Sequence, residues 1–188
     1  VGVAKGLTLA LCGGQPVNRL PSALGQFAKD SWLGIPSFIY CVAICYIVMV
    51  FIMHKTKFGR HIYSLGGNAQ AARLAGINIK RTEVVAYIIA GLFGTFAGLL
   101  LLSRLNYASP TAGSGYELDA IAAVVIGGIA LSGGQGKIAN TLIGALILGI
   151  LKNGLQLLDV PSYYQQIVTG IVIIGAVYLD KVKDRRAE

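Results

Sequence analysis

The acidic side chains that could carry catalytic chemistry are few, and the closest pair of them is Glu117 and Asp119. Two residues that are two positions apart on a helix point in different directions, so these carboxylates do not form a general acid/base pair. The stretch Ser132–Lys137 superficially resembles a phosphate-binding loop, but it lacks the length and the following Ser or Thr of that motif. It is interpreted as a tight turn between helices, and the sequence predicts no catalytic site.

The cysteines also give no sign of a chemical centre. Cys41 and Cys45 are one helical turn apart inside an apolar run, and Cys12 is far from both in the sequence. Small buried residues are the favoured interpretation over a metal or redox site, because neither His54 nor His61 completes a ligand set. No metal, cofactor or catalytic residue is expected.

Composition places the chain in a membrane. The mean hydropathy is +0.68 and only 13% of the residues are charged, whereas soluble domains are usually about 25% charged. The formal net charge is +8, but the cations cluster in two places, the segment Lys55–Arg81 and the tail Lys181–Arg186. This placement is typical of membrane orientation and anionic lipid contact, and not of nucleic-acid binding.

The apolar runs predict an all-α fold, a polytopic integral membrane helical bundle. The expected spans are residues 1–12 (partial), 35–54, 84–103, 118–135, 138–155 and 163–180, with a cytoplasmic loop at 55–81. Residues 1–188 are expected to form one transmembrane domain, the C-terminal part of a longer protein. The positive-inside rule places both the loop and the C-terminus in the cytoplasm, and 13–34, 104–117 and 156–164 outside.

Two central runs are shorter than a bilayer requires. The charge-free stretch Ile138–Leu151 has 14 residues, which cover about 21 Å as a helix. Together with Ala120–Gly136, it predicts short or broken helices beside a translocation pathway. The alternative is that Lys152 simply extends to the membrane interface. The candidate pathway residues are Glu117, Asp119, Asn153 and Gln156.

Two local patterns bear on helix ends and helix contacts. Ser114 and Glu117 have the spacing of a capping box, so Glu117 is expected to start a helix, the alternative being contact with a solute. Gly94 and Gly98 have GxxxG spacing, and Ala145 and Gly149 repeat it, which predicts close helix contacts at these positions.

Several stretches resemble the permease subunits of bacterial monosaccharide ABC importers, and the likeness is greatest to members that import ribose. They are residues 58–68 (FGRHIYSLGGN), 71–77 (AARLAGI), 110–128 (PTAGSGYELDAIAAVVIGG), 131–136 and 141–149. The resemblance implies a non-catalytic permease of the bacterial inner membrane. It also implies three partners: a second permease subunit forming a homodimer, an ABC ATPase subunit on the cytoplasmic face, and a periplasmic sugar-binding protein.

The same resemblance implies a docking site for the ATPase. ABC importer permeases carry a cytoplasmic Glu-Ala-Ala signature followed after three residues by Gly. Here Gln70-Ala71-Ala72 and Gly76 fit it, with Gln in place of Glu. The short helix expected between Gly66 and Gly76 is therefore interpreted as the coupling helix. The expected coupling residues are Asn68, Gln70, Ala71, Ala72, Arg73 and Gly76.

Two other functions remain open from the residues alone. A stand-alone passive channel or ion-coupled sugar carrier would also be a helical membrane protein. Carriers generally place ionisable residues at mid-membrane, however, and the long apolar runs contain none. A membrane scaffold held by GxxxG contacts is the third possibility.

Overall fold

A computed structural model of the protein describes residues 2–17, 31–32, 34–130 and 133–187. Within these residues the chain forms α1 (Gly2–Cys12), β1 (Ser31–Trp32), β2 (Ile35–Pro36), α2 (Ser37–Lys55), α3 (Lys57–Gly67), α4 (Ala69–Leu74), α5 (Ile79–Leu105), α6 (Tyr116–Ile126), α7 (Ile138–Leu157) and α8 (Ser162–Ala187). The two short strands pair antiparallel, with Trp32 opposite Ile35. The all-α prediction is confirmed.

The chain divides into two compact units. Unit 1 comprises Val1–Val48 and Val84–Ser114, and unit 2 comprises Met49–Glu83 and Gly115–Glu188. In unit 1, an isolated antiparallel bridge joins Val17 and Ala108 through reciprocal backbone hydrogen bonds of 2.8 and 3.0 Å. In unit 2, α6 packs against both α7 and α8, and α3 packs against α4.

Three of the described helices are long and apolar enough to cross a membrane: α2 with 19 residues, α5 with 27 and α7 with 20. They coincide with the predicted spans 35–54, 84–103 and 138–155. Many of their large apolar side chains are exposed, and the buried hydrophobic residues of the described chain are Ala72, Ala122, Val125 and Leu148. Exposed apolar faces carry no penalty in lipid, because hydrocarbon tails are as apolar as leucine.

α6 and α7 have very different lengths. α6 has 11 residues, which cover about 16 Å, so its helix occupies only part of the predicted span 118–135. α7 has 20 residues, which cover about 30 Å. The prediction that the second run falls short of a bilayer is wrong, because the helix continues through Lys152 and Asn153 to Leu157.

The start of α6 differs from the predicted capping box. The N-cap is Gly115, with a φ of 90°, and no side chain caps the helix. Ser114 instead accepts a 2.9 Å hydrogen bond from the Lys5 ammonium. The capping interpretation of Glu117 is therefore wrong, because the left-handed backbone at Gly115 turns the chain into the helix without a side-chain acceptor.

Most of the predicted loop 55–81 is helical. α3 was not expected from the sequence, since its 11 residues include three glycines. Thr56 starts it: its hydroxyl accepts from the backbone N–H of Gly59 at 3.3 Å and donates to the carbonyl of Ile52 at 2.6 Å. One side chain thus joins the end of α2 to the beginning of α3.

The close contact between α6 and α7 occurs at glycines that the GxxxG pattern did not select. A Cβ added to Gly144 would overlap the carbonyl of Ala123, and one added to Gly127 would lie 2.6 Å from the carbonyl oxygen of Asn140. Within the described residues, a Cβ at Gly94, Gly98 or Gly149 would meet nothing within 4 Å. The prediction that these last three make close helix contacts is wrong for contacts inside this part of the chain.

We predict that a cysteine replacing Gln70 reacts with a membrane-impermeant thiol reagent only after the membrane is opened. The reason is the excess of Lys and Arg in residues 55–81, which keeps such segments on the cytoplasmic side. The matched control is Thr111→Cys, also exposed but on the segment predicted to lie outside, which is expected to react in intact cells. Both variants are made in a background without Cys12, Cys41 and Cys45, and labelling of Gln70→Cys in intact cells would reverse the topology.

Candidate functional site

The segment with the expected coupling residues is built around Asn68, which ends α3 and begins α4. Its backbone N–H donates to the carbonyl of Ser64 at 3.1 Å, and its side-chain oxygen accepts from the N–H of Ala71 at 2.9 Å. The two helices are therefore joined through one residue that caps both. A side-chain acceptor at the N-cap satisfies a backbone donor that a short helix otherwise leaves unpaired.

The C-terminal end of α4 closes at a glycine. The N–H of Ile77 donates to the carbonyl of Ala72 at 3.1 Å, and Gly76 between them has a φ of 81°. This is the arrangement of a Schellman motif, in which a left-handed residue ends the helix. Two residues after Gly76, Asn78 caps α5: its side-chain oxygen accepts from the N–H of Arg81 at 3.1 Å. Between α2 and α5, each helix is thus joined to the next by hydrogen bonds at its ends.

The side chains of α4 fall into two sets. Ala72 is buried, with 3% exposure, whereas Gln70, Ala71 and Arg73 are exposed. Sequence reasoning missed Leu74, whose side chain is 90% exposed. The sequence feature that could have identified Leu74 is its position: it is a large aliphatic residue beside Arg73, in a segment that otherwise contains polar and small residues. The exposed surface of α4 therefore comprises Gln70, Ala71, Arg73 and Leu74, while Ala72 faces the rest of the chain.

The charge around this segment has one sign. Between residues 55 and 81 the cationic side chains are all exposed, and they are Lys55, Lys57, Arg60, Arg73, Lys80 and Arg81. The same range contains no Asp or Glu. Such a surface attracts an acidic protein face or anionic lipid head groups.

The candidate pathway residues do not form one cluster. The Asp119 carboxylate on α6 accepts from the Lys152 ammonium on α7 at 2.5 Å, with side-chain exposures of 27% for Asp119 and 36% for Lys152. Glu117, Asn153 and Gln156 are exposed. The structure therefore brings Asp119 to Lys152, which was considered only as a residue at the interface.

A separate cleft lies in unit 1. It has a volume of about 380 Å³ and is lined mainly by leucine and other apolar residues, with Thr8 and Thr95 among the polar ones. The hydroxyls of Thr8 and Thr95 donate to the carbonyls of Ala4 and Gly91 in their own helices. These two hydroxyls are left only as acceptors, and the hydroxyl of Ser109, which also lines the cleft, pairs with that of Thr111. Polar side chains on the wall are therefore few, whereas a sugar site needs several convergent ones.

The described residues give no support to a metal centre. Among them, no three His, Cys, Asp or Glu side chains lie close enough to hold an ion. Cys12, Cys41 and Cys45 are free thiols.

Comparison with known proteins gives a consistent match. The family model for "Branched-chain amino acid transport system / permease component" matches residues 8–177. The ribose import permease protein RbsC of Bacillus subtilis is 49% identical over 183 residues, covering 96% of this chain and 57% of that protein. RbsC of Escherichia coli K12 is 47% identical, covering 95% of this chain and 57% of its own length.

A relative named for another sugar is more distant. The xylose transport system permease protein XylH of Escherichia coli K12 is 39% identical over 187 residues, covering 100% of this chain and 48% of that protein. The chain thus spans a little more than half the length of the ribose import permeases it matches. No solved structure matches it.

We predict that Asp119 and Lys152 stabilise the folded protein by mutual interaction, worth about 0.5 kcal/mol because both side chains are partly exposed. Thermal unfolding in detergent of Asp119→Asn, Lys152→Met and the double variant measures this coupling. Each single variant should be less stable than the parent, and the double variant more stable than the sum of the two losses implies. Glu117→Gln, two residues away, is the matched control and should unfold like the parent, and strictly additive effects of the pair would contradict the coupling.

Proposed function

Because the chain belongs to the branched-chain amino acid transport system / permease component family, we propose that it forms part of the membrane permease subunit of an ATP-driven monosaccharide importer. The observation that carries the proposal is the match to ribose import permeases along 183 residues. Helices α2, α5 and α7 supply apolar lengths sufficient for membrane crossings. A permease of this kind binds and moves the solute, and a separate subunit hydrolyses ATP.

Ribose is the proposed substrate. The two ribose import permeases are 49% and 47% identical to this chain, and the xylose permease is 39% identical over a similar length. A pentose is uncharged and polyhydroxylated, so its passage calls for weak hydrogen-bonding contacts rather than a strong ionic site. Glu117, Asn153 and Gln156, whose side chains are exposed, remain the candidates for such contacts, and Asp119 would act there through its ion pair with Lys152.

The proposed docking site for the ATPase is α4 with the cations around it. Leu74 offers an exposed aliphatic anchor, and Arg73 beside it offers a charge. An acidic, partly apolar cleft on the ATPase would match both. α4 has only six residues, too few to be stable alone in water, and its position depends on α3 through Asn68. ATP-driven closure of the ATPase subunits would therefore move α3 and α4 together.

The remaining partners follow from the same assignment. A sugar-binding protein would deliver ribose on the outer side, and a second permease subunit, as a homodimer, would complete the path. The basic segment 55–81 and the basic tail would both face the cytoplasm, in agreement with the positive-inside rule. The protein would lie in the bacterial inner membrane.

An ion-coupled carrier is the second candidate, and the Asp119–Lys152 pair is the observation that favours it, since carriers use intramembrane ionisable residues. Against it, Asp119 is the fourth residue of α6, and Lys152 lies five residues before Leu157, the last residue of α7. Both side chains are partly exposed. They therefore form an ion pair near helix ends and not at mid-membrane, where a carrier places its ionisable residues. ATP dependence of transport distinguishes the two candidates.

We predict that proteoliposomes containing the protein, its ATPase subunit and its sugar-binding protein take up ribose only when ATP is supplied. Omission of either partner should abolish uptake, because neither energy nor substrate delivery resides in the permease. A tenfold excess of xylose is expected to reduce ribose uptake less than unlabelled ribose does. Ribose uptake driven by an ion gradient without ATP would favour the ion-coupled carrier. Equilibration of ribose across the membrane without any energy source would favour a passive channel, and absence of uptake under all conditions would favour the membrane scaffold.

We predict that Leu74→Ser weakens binding of the ATPase subunit about tenfold, because loss of a buried aliphatic side chain costs about 1.5 kcal/mol. A titration of the detergent-solubilised protein with the ATPase subunit measures the affinity. Leu158→Ser is the matched control: Leu158 is 75% exposed but lies at the end of α7 that is predicted to face outside. Equal loss of affinity in both variants would contradict a docking role for α4.

A further inference from the structure

Two pairs of glycines bring distant parts of unit 2 into backbone contact. Gly66 and Gly67, the last residues of α3, lie against Gly133 and Gly134, which stand between α6 and α7. A Cβ added to Gly66 would overlap the backbone N of Gly134 and would lie 3.1 Å from its Cα. A Cβ added to Gly134 would lie 2.6 Å from the Cα of Gly67. Gly66 and Gly134 therefore have no room for a side chain.

The backbone at this contact also requires glycine on one side. Gly133 and Gly134 have φ values of 89° and 75°, which other L-residues rarely adopt. Gly66 and Gly67 have no such restriction, and only the first of them would meet the opposing backbone. The close approach therefore depends on Gly66 for space and on Gly133 and Gly134 for conformation.

The contact joins the proposed docking helix to the α6–α7 pair. On one side, Gly67 is followed directly by Asn68, whose two hydrogen bonds fix α4 to the end of α3. On the other side, Gly127 and Gly144 hold α6 and α7 together through their own backbone contacts. The Asp119–Lys152 ion pair joins the same two helices further along. A short series of contacts thus connects α4, through the end of α3, to α6 and α7.

We propose that Gly66 and Gly134 are positioning residues for transport: their contact transmits the movement of a subunit docked on α4 to the α6–α7 pair. This inference rests on the proposed function, in which α4 receives the ATPase. Backbone-to-backbone contact suits such a role, because no flexible side chain lies between the two segments to absorb the displacement. Removal of the contact should leave binding of the ATPase subunit to α4 intact. ATP hydrolysis should then continue, but with less solute transported for each ATP hydrolysed.

The test compares Gly66→Ala with Gly67→Ala in the whole protein, reconstituted with the ATPase subunit and the sugar-binding protein. The two variants add the same methyl group to adjacent residues, but a Cβ at Gly67 meets nothing within 4 Å among the described residues. Four quantities are measured: the amount of protein in the membrane, the affinity for the ATPase subunit, ATP hydrolysis, and ribose transported per ATP. Gly66→Ala is expected to lower ribose transported per ATP about tenfold with the first three within about twofold of the parent. Gly67→Ala should match the parent in all four.

A tether provides a second readout that a purely structural role would not change. A short bifunctional thiol reagent joins Gly67→Cys to Gln135→Cys in the background without Cys12, Cys41 and Cys45. In the Gly66→Ala protein this cross-link should restore transport per ATP towards the parent value. If Gly66→Ala does not reach the membrane, transport is measured in the cross-linked protein that retains Gly66. Retained transport supports a contact whose two sides move together during transport, and blocked transport overturns the proposal.

The outcomes separate this inference from the function on which it rests. Parent-like transport per ATP in Gly66→Ala, or loss of ATPase binding together with transport, overturns the positioning role and leaves the importer proposal intact. Absence of ATP-driven ribose uptake by the parent protein overturns the importer proposal and, with it, this inference.

Discussion

Close approach of backbones at glycine is the interaction on which unit 2 depends. Few of the described hydrophobic side chains are buried within the chain, so a conventional apolar core does not hold the helices together. In lipid there is little hydrophobic drive to associate, and helices are held by van der Waals contact and by polar interactions between them. Gly144 against Ala123 and Gly127 against Asn140 supply that contact. The ion pair of Asp119 with Lys152 can form only because α6 and α7 already lie this close.

The same constraint explains how a short helix is accommodated. α6 ends at Ile126 and α7 begins at Ile138. Of the residues between them, 127–130 and 133–137 are described and are not helical, so their backbone polar groups lack the partners that a helix supplies. Here the end of α3 lies against part of that segment, at Gly133 and Gly134. The glycines at the end of α3 therefore pack against this non-helical backbone with backbone of their own.

The sequence predicted the long helices and a short helix between Gly66 and Gly76, because hydropathy and a Gly-bracketed, Ala-rich stretch are local signals. It did not predict α3, since three glycines in 11 residues argue against a helix, although Thr56 and Asn68 cap it at both ends. It selected Gly94 and Gly98 for close contact, because spacing shows that two small residues share a face. Spacing cannot show what that face meets, and Gly144, which makes the closest contact between α6 and α7, has no small residue four positions away on either side. For the same reason, the sequence did not show that Ala72 is buried and Leu74 exposed: which side of a helix faces its own chain is a tertiary property.

The position of α4 follows from its length. Six residues cannot hold a helix in water by their own hydrogen bonds, so the burial of Ala72 and the double cap at Asn68 must fix α4 relative to α3. This arrangement leaves Leu74 and Arg73 free for a partner while α3 carries the helix. If α4 were mobile relative to α3, binding energy would be spent on ordering it, and little displacement would reach the membrane helices. A short helix fixed at its N-cap by a rigid neighbour is thus better suited to transmitting force than a longer independent helix on a flexible loop.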